Sequence, residues 1–250
     1  MDLSERRSGN PARHPWELAR RDFFFALLRR FDLADAREIL DVGSGDAWFA
    51  RSLAQELGEA VHVTAWDAYY SADDLAQAAD SVTLTSVQPA ARCDGVMMLD
   101  VIEHVPDDLD FVSSIVERNV ADEGWVLVSV PAYQLLYTSH DRQLRHYRRY
   151  SPRRCRNLLR ASGLDLVAEG GVFHSLLLVR FAQAVAERLR PVRATGAGIG
   201  GWEHGALVTG VVSAALRAEV GLSLLLSRQR IGVVPGLSYW ALCRKAAPGG

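Results

Sequence analysis

Apolar positions along the chain follow two periods that take turns. Residues 15–31, PWELARRDFFFALLRRF, place Trp16, Phe23, Phe24, Leu27, Leu28 and Phe31 at helical spacing, which predicts an amphipathic helix leading into the fold. Short apolar or alternating runs then appear at EILDVG (38–43), VHVTAWD (61–67), SVTLTSV (81–87) and CDGVMMLDVI (93–102), and again at GWVLVSVP (124–131), DLVAEGGVFH (165–174) and LSYWALCRK (237–245). Each reads as a strand. Helical patterns separate them: DAWFARSLAQELG (46–58), closed by Gly58; SADDLAQAA (71–79), capped by Ser71 with Asp74 three residues on; and PDDLDFVSSIVERNV (106–120). SPRRCRNLLRASG (151–163), opened by Ser151 and Pro152 and closed by Gly163, and SLLLVRFAQAVAERLRP (175–191) follow. ATGAGIGG (194–201) reads as a loop.

Strands that alternate with helices predict an α/β chain: a seven-stranded, mostly parallel sheet with helices on both faces. Ligands of such sheets sit beyond the carboxyl ends of the strands, where the strand order reverses. The expected organisation is a fraying segment 1–14 and one domain over 15–250. Within that domain a substrate-side lid covers 132–150, and a helical insertion over 175–230 acts as a cap. GALVTGVVSAALRAEVGLSLLLS (205–227) is long enough to span a membrane, but Arg217 and Glu219 stand near its middle. The expectation is a helix mostly buried in protein. Contact with a membrane surface, or capping of an apolar tunnel, is the other reading.

Composition changes the picture little. The chain has 250 residues, 49% of them hydrophobic and 23% charged, with a net charge of −2, so nothing global points to DNA or RNA. Cys93, Cys155 and Cys243 are scattered and form no paired motif, so neither a disulfide framework nor a zinc site is expected, and a reducing, cytoplasmic setting fits. No secretory signal pattern is visible in MDLSERRSGNPARH.

The candidate chemistry starts at ILDVGSGDAWFARSLA (39–54). Gly43 and Gly45 lie between a strand and a helix, the arrangement of nucleotide-binding turns. A dinucleotide fingerprint needs a small residue where this chain has Trp48. Asp41, two residues before the first glycine, would repel a pyrophosphate and attract an ammonium group. Asp67, at the end of the second strand, can accept hydrogen bonds from ribose hydroxyls; as an alternative it is a loop or capping aspartate.

These residues, together with CDGVMMLDVIEHVPDD (93–108), GWVLVSVP and SPRRCRNLLRASGLDLV, resemble the class I S-adenosylmethionine-dependent methyltransferases over about residues 35–180. The resemblance implies a Rossmann-like fold whose last strand is antiparallel and inserted beside the fifth. It implies S-adenosylmethionine as cofactor, with Asp41, Gly43 and Gly45 at its methionine end and Asp67 at its ribose. Thr85, Ser86 and Val87 would lie beside the adenine, and Leu99 and Asp100 beneath the methyl group. Where the family has a third glycine, this chain has Ala47, which resists positive backbone angles. His104 is expected to hold a turn through a structural hydrogen bond.

YTSHDRQLRHYRRYSPRRCRNLLR (137–160) resembles the His-Asp…His-x-Arg-Arg-Tyr segment of a subset similar to ubiquinone-pathway and small-molecule O-methyltransferases. His140 is the first choice for a general base, because Asp141 adjoins it and can orient it, and His146 is the second. Arg148 and Arg149, with Tyr147 beside them, are expected to bind an anionic substrate group. No metal is expected. The implied activity is methyl transfer to a small-molecule acceptor, first an oxygen nucleophile on a partly apolar or anionic metabolite, with nitrogen and carbon acceptors open. A rival reading makes the arginine-rich 142–160 segment an RNA contact of an RNA-modifying or RNA-binding protein. A homodimer and a peripheral membrane contact are both left open.

Overall fold

All seven expected strands join in one sheet in the computed structural model, which describes residues 13–77, 81–189, 205–227 and 233–246. The strands are β1 (Glu38–Val42), β2 (His62–Trp66), β3 (Val82–Thr85), β4 (Cys93–Leu99), β5 (Val120–Pro131), β6 (Leu164–Val172) and β7 (Ser238–Lys245). Their order across the sheet is β3-β2-β1-β4-β5-β7-β6. The pairs among β1 to β5 are parallel, whereas β7 runs antiparallel between β5 and β6. The strand order reverses between β1 and β4, so their carboxyl ends, at Val42 and Leu99, border one crevice.

Eight α-helices are described: α1 (Pro15–Arg30), α2 (Trp48–Leu57), α3 (Ala72–Leu75), α4 (Asp108–Asn119), α5 (Ser139–Gln143), α6 (Pro152–Ala161), α7 (His174–Leu189) and α8 (Ala206–Leu226). The caps read from sequence are present. Ser71 and Asp74 form a reciprocal box, Ser151 accepts from the Arg154 amide, and Gly58 closes α2. Because both faces of the central strands are covered, neighbouring residues are buried on opposite sides. Ile39, Met97, Leu127 and Trp240 pack with Phe23, Phe24, Leu27 and Leu28 of α1 and Leu53 of α2. Leu40, Met98, Val126 and Tyr239 pack with Ile115 of α4 and Cys155 and Leu159 of α6. The aromatic residues of α1 are therefore largely core, and Trp16 reaches Phe173 with ring centroids 5.9 Å apart.

Two expectations change, the lid gains internal structure, and part of the chain lies outside the described residues. β4 stops at Leu99 rather than continuing to Ile102, because Asp100 takes a left-handed angle of 58° and the chain then forms a 3-10 turn over Ile102–His104. The lid over 132–150 is folded: it holds a 3-10 turn at Gln134–Leu136 and α5, and Ala132 bridges Tyr150 at its base. The 205–227 helix is not mostly buried, since only 22% of its apolar window is covered. Its buried side packs on α1, on β6 and on the start of α7, while many of its apolar residues stay exposed. Lastly, the fraying segment 1–14 falls, up to residue 12, outside the described residues, as do 190–204 and 228–230 of the expected cap.

Candidate functional site

At the carboxyl end of β1 the chain turns through three left-handed residues, Gly43 (64°), Gly45 (58°) and Ala47 (57°). A side chain on Gly43 would place its Cβ 2.7 Å from Val101 Cγ2, so glycine is what lets the ends of β1 and β4 approach. Ala47 adopts the angle it was expected to resist, at a cost of about 1 kcal/mol; its amide donates to Ser44 O at 3.0 Å and its carbonyl accepts from the Arg51 amide at 3.0 Å. The Gly43 and Ser44 amides donate to Trp66 O at 2.7 and 3.2 Å. Asp67, buried at the end of β2, accepts from the Gly45 amide at 2.9 Å and from the Tyr69 amide at 3.0 Å. It thus fastens the turn to β2 while each oxygen retains a further lone pair. Ser44 Oγ and Tyr70 OH are 2.8 Å apart behind it.

Asp41 lies beneath this turn, 3% exposed, and its Oδ2 has no hydrogen-bond partner. Burial pushes its carboxyl up to about 7, with Asp67 adding to the shift and Arg20 opposing it. A buried acid left incomplete in this way suits a cationic ligand group. The Asp67 amide donates to Thr85 O at 3.1 Å, which sets Ser86, half-buried, at the neighbouring strand end. Leu99 is buried at the end of β4, and Asp100 accepts from Ser129 Oγ at 2.9 Å and pairs with Arg20 of α1 at 2.8 Å. The role of Arg20 was not legible in sequence, since only the packing of α1 brings it to the crevice.

The lid assembles a second cluster. Asp141, fully buried, faces His146 rather than the adjacent His140: Asp141 Oδ1 lies 3.0 Å from His146 Nδ1. Successive residues of a helical turn diverge by about 100°, so adjacency on α5 points Asp141 and His140 apart. The orienting contact expected between Asp141 and His140 is thus made with His146 instead. Asp141 also receives Arg149 Nε at 2.7 Å, Arg180 Nη2 at 3.1 Å and the Thr138 amide at 2.9 Å. Burial works to raise its pKa, but the hydrogen bond with His146, the Arg149 guanidinium and the Thr138 amide outweigh burial and hold its carboxyl well below the usual carboxylate range. His140 is shifted down, by burial and then by Arg180.

The arginines expected to meet a substrate are engaged inside the protein. Arg149 is 5% exposed, with Asp141 and Ala132 O as partners. Arg148 pairs with Asp108 at 2.8 Å and donates to Pro106 O at 2.5 Å. Tyr147 is exposed beneath the Arg148 guanidinium, and its amide donates to Glu103 O at 2.8 Å. Arg142, Arg154 and Arg156 also pair with acids, namely Glu187, Asp108 and Glu169. Arg148 and Arg149 are thus committed inside the protein, whereas Arg142, Arg145, Arg153, Arg154 and Arg160 remain exposed.

Glu103 reads in the sequence only as the residue that opens a turn with His104, with no chemistry assigned to it. It is fully buried, and neither carboxylate oxygen has a hydrogen-bond partner. Burial, then the charge of Asp100, push its pKa well up. His104 and His146 stand edge to face with ring centroids 4.7 Å apart. Donor atoms of Glu103, His104 and His146 lie within 4.8 Å of one another, close enough to ligate one cation. His104, expected to hold a turn, is also part of this cluster. The expectation of no metal rested on spacing along the chain, and spacing could not show this convergence.

A family model described as a methyltransferase domain matches residues 16–169. None of the curated proteins matches the chain. Among solved structures, the (4+2)-cyclase SpnF is similar with a TM-score of 0.56 at 18% identity, covering 96% of this chain and 85% of that one. A SAM-dependent methyltransferase from Archaeoglobus fulgidus gives 0.51 at 16% identity, covering 90% and 94%. A 1,6-didemethyltoxoflavin-N1-methyltransferase from Burkholderia thailandensis gives 0.51 at 16% identity, covering 97% and 94%. At these identities the likeness is one of fold.

Proposed function

The chain belongs to the methyltransferase-domain family, with S-adenosylmethionine as its cofactor, and from that premise we propose that it methylates an oxygen nucleophile on a small, partly apolar or anionic molecule, with His146 as general base. The observation that carries the proposal is the His146–Asp141 pair beside the carboxyl end of β4. When bound, S-adenosylmethionine supplies a methyl group already activated on a sulfonium. The residues of the turn fit such a ligand: Asp41 offers an unpartnered buried oxygen to an ammonium group, and Asp67 offers free lone pairs to ribose hydroxyls.

His146 is set up to take a proton. With Asp141 accepting from Nδ1–H, the basic nitrogen is Nε2. Arg149 and Arg180 keep Asp141 charged, so the tautomer does not wander. Nε2 would take the hydroxyl proton of the acceptor, while bound S-adenosylmethionine would supply the methyl group, its sulfur keeping the electron pair of the broken carbon–sulfur bond and leaving as S-adenosylhomocysteine. A nitrogen acceptor with a free lone pair would not need this base. The fold alone does not choose the reaction, as the likeness to a cyclase shows.

The test follows an isotope-labelled methyl group from S-adenosylmethionine into a panel of phenols, hydroxy acids and aliphatic alcohols, with RNA and amines alongside. Label on oxygen supports the reading; label only on nitrogen or on RNA overturns it. With the accepted alcohol, His146→Ala is expected to lower turnover about 10²–10⁴-fold and leave S-adenosylhomocysteine affinity nearly unchanged. His140→Ala is expected to retain most turnover. Wild-type turnover in His146→Ala would remove the base from the mechanism.

A further inference from the structure

Two helices added after β6 leave an apolar surface that the methyltransferase site does not use. Leu178, Phe181 and Leu189 on α7, and Leu207, Val211 and Leu225 on α8, are 46–81% exposed. On each helix these positions recur at spacings that keep them on one side, with exposed alanines between them on the same side. A soluble surface rarely carries apolar helix faces of this length without a partner.

The charges around this face identify the partner. α7 and α8 carry two acids, and both turn inward: Glu187 accepts from the Ser139 amide and Arg142, and Glu219 accepts from the His174 and Ser175 amides. The charged residues exposed on the two helices are Arg188 and Arg217. The sequences adjoining the helix ends add Arg190, Arg193, Arg228 and Arg230 against one acid, Glu203, and they include Trp202. Apolar helix faces with Arg188 and Arg217 exposed, and with no exposed acid among the described residues of the two helices, match the anionic interface of a bilayer. A second copy meeting the same face would set arginine against arginine. A full span does not fit either: α8 lies along α1, where Arg30 binds Ser227 and Leu224 O, and Arg217 stands exposed at mid-helix.

We propose that α7 and α8 dock on the surface of an anionic membrane with their apolar faces in the headgroup region. The two helices also border the candidate site. Arg180 of α7 holds Asp141, and α8 packs on α1, which supplies Arg20 to Asp100. Docking would therefore hold the crevice at the membrane surface.

The experiment is co-sedimentation of the full chain with vesicles of pure phosphatidylcholine and of phosphatidylcholine with phosphatidylglycerol. Binding to the anionic vesicles, weakened by salt, is expected. The double variant Phe181→Ser/Leu225→Ser should lose about tenfold or more in vesicle affinity, as expected for loss of inserted apolar area. Its melting temperature and S-adenosylhomocysteine affinity should stay at wild-type values. Arg188→Glu/Arg217→Glu should remove the preference for anionic lipid. Failure to bind either vesicle overturns the proposal, as does unchanged binding by the double serine variant. A vesicle-free dimer that the same serines abolish would assign the face to a second copy instead and also overturn it.

Discussion

The buried, unpartnered Asp41 makes ligand binding pH-dependent in a way that can be worked out from the structure. Burial raises its carboxyl to about 7, so at about pH 6 roughly one molecule in ten has Asp41 ionised. A ligand ammonium group needs the ionised form. S-adenosylhomocysteine should therefore bind about tenfold more weakly at pH 6 than at pH 8, with a proton released on binding. The stability of the free protein moves the other way. A carboxyl whose folded pKa is raised contributes fully below about pH 4, its unfolded value, and loses that contribution as pH rises through about 7. The shift is worth up to about 4 kcal/mol at 1.4 kcal/mol per unit. The melting temperature of the free protein should thus fall from pH 5 to pH 8, while the stabilisation given by S-adenosylhomocysteine grows. Titration calorimetry in two buffers of different ionisation enthalpy reads both the affinity and the proton count. Asp41→Asn should weaken binding at pH 8 by about tenfold or more through loss of a charge-assisted hydrogen bond, and should flatten the slope. A flat wild-type affinity from pH 6 to pH 8, or a slope that survives in Asp41→Asn, would refute the reasoning.

Three further outcomes concern the frame around the site. Arg149→Ala should destabilise the fold by about 3–5 kcal/mol in urea titration, because it strips a partner from a fully buried carboxylate. Asp141 has a depressed pKa, so its contribution is present above about pH 4 and is lost as pH falls below it; Asp141→Asn should show a smaller loss of stability on acidification than wild type. Gly43→Ala should cost about 1–3 kcal/mol and weaken S-adenosylhomocysteine, since the angle is left-handed and the new methyl meets Val101; an unchanged melting temperature would contradict the close approach of β1 and β4.

The order of elements was legible because it rests on short-range physics. The period of apolar residues tells strand from helix, and a serine with an acid three residues on caps a helix wherever it stands, as Ser71 and Asp74 do. The same holds for the turn. A strand followed by Gly43 and Gly45 fixes a backbone bend, and Asp41 beside it sits in the crevice wherever the rest of the chain goes. Partners of the charged side chains obey no such local rule. Arg148 and Arg149 read as free cations, yet they meet Asp108 and Asp141 because the lid folds back on α4 and on itself. Glu103, His104 and His146 converge only after the segment beyond β5 crosses the end of β4. Asp141 met His146 and not His140 because a single helical turn set its direction. The 205–227 stretch shows the same limit for burial. Its composition permits a core helix or an interfacial one, and what decided was how little of the fold remained to cover it once α1, β6 and the start of α7 had taken one side. Local preference is encoded within a few residues, whereas pairing and burial depend on which distant surfaces the topology brings within contact distance.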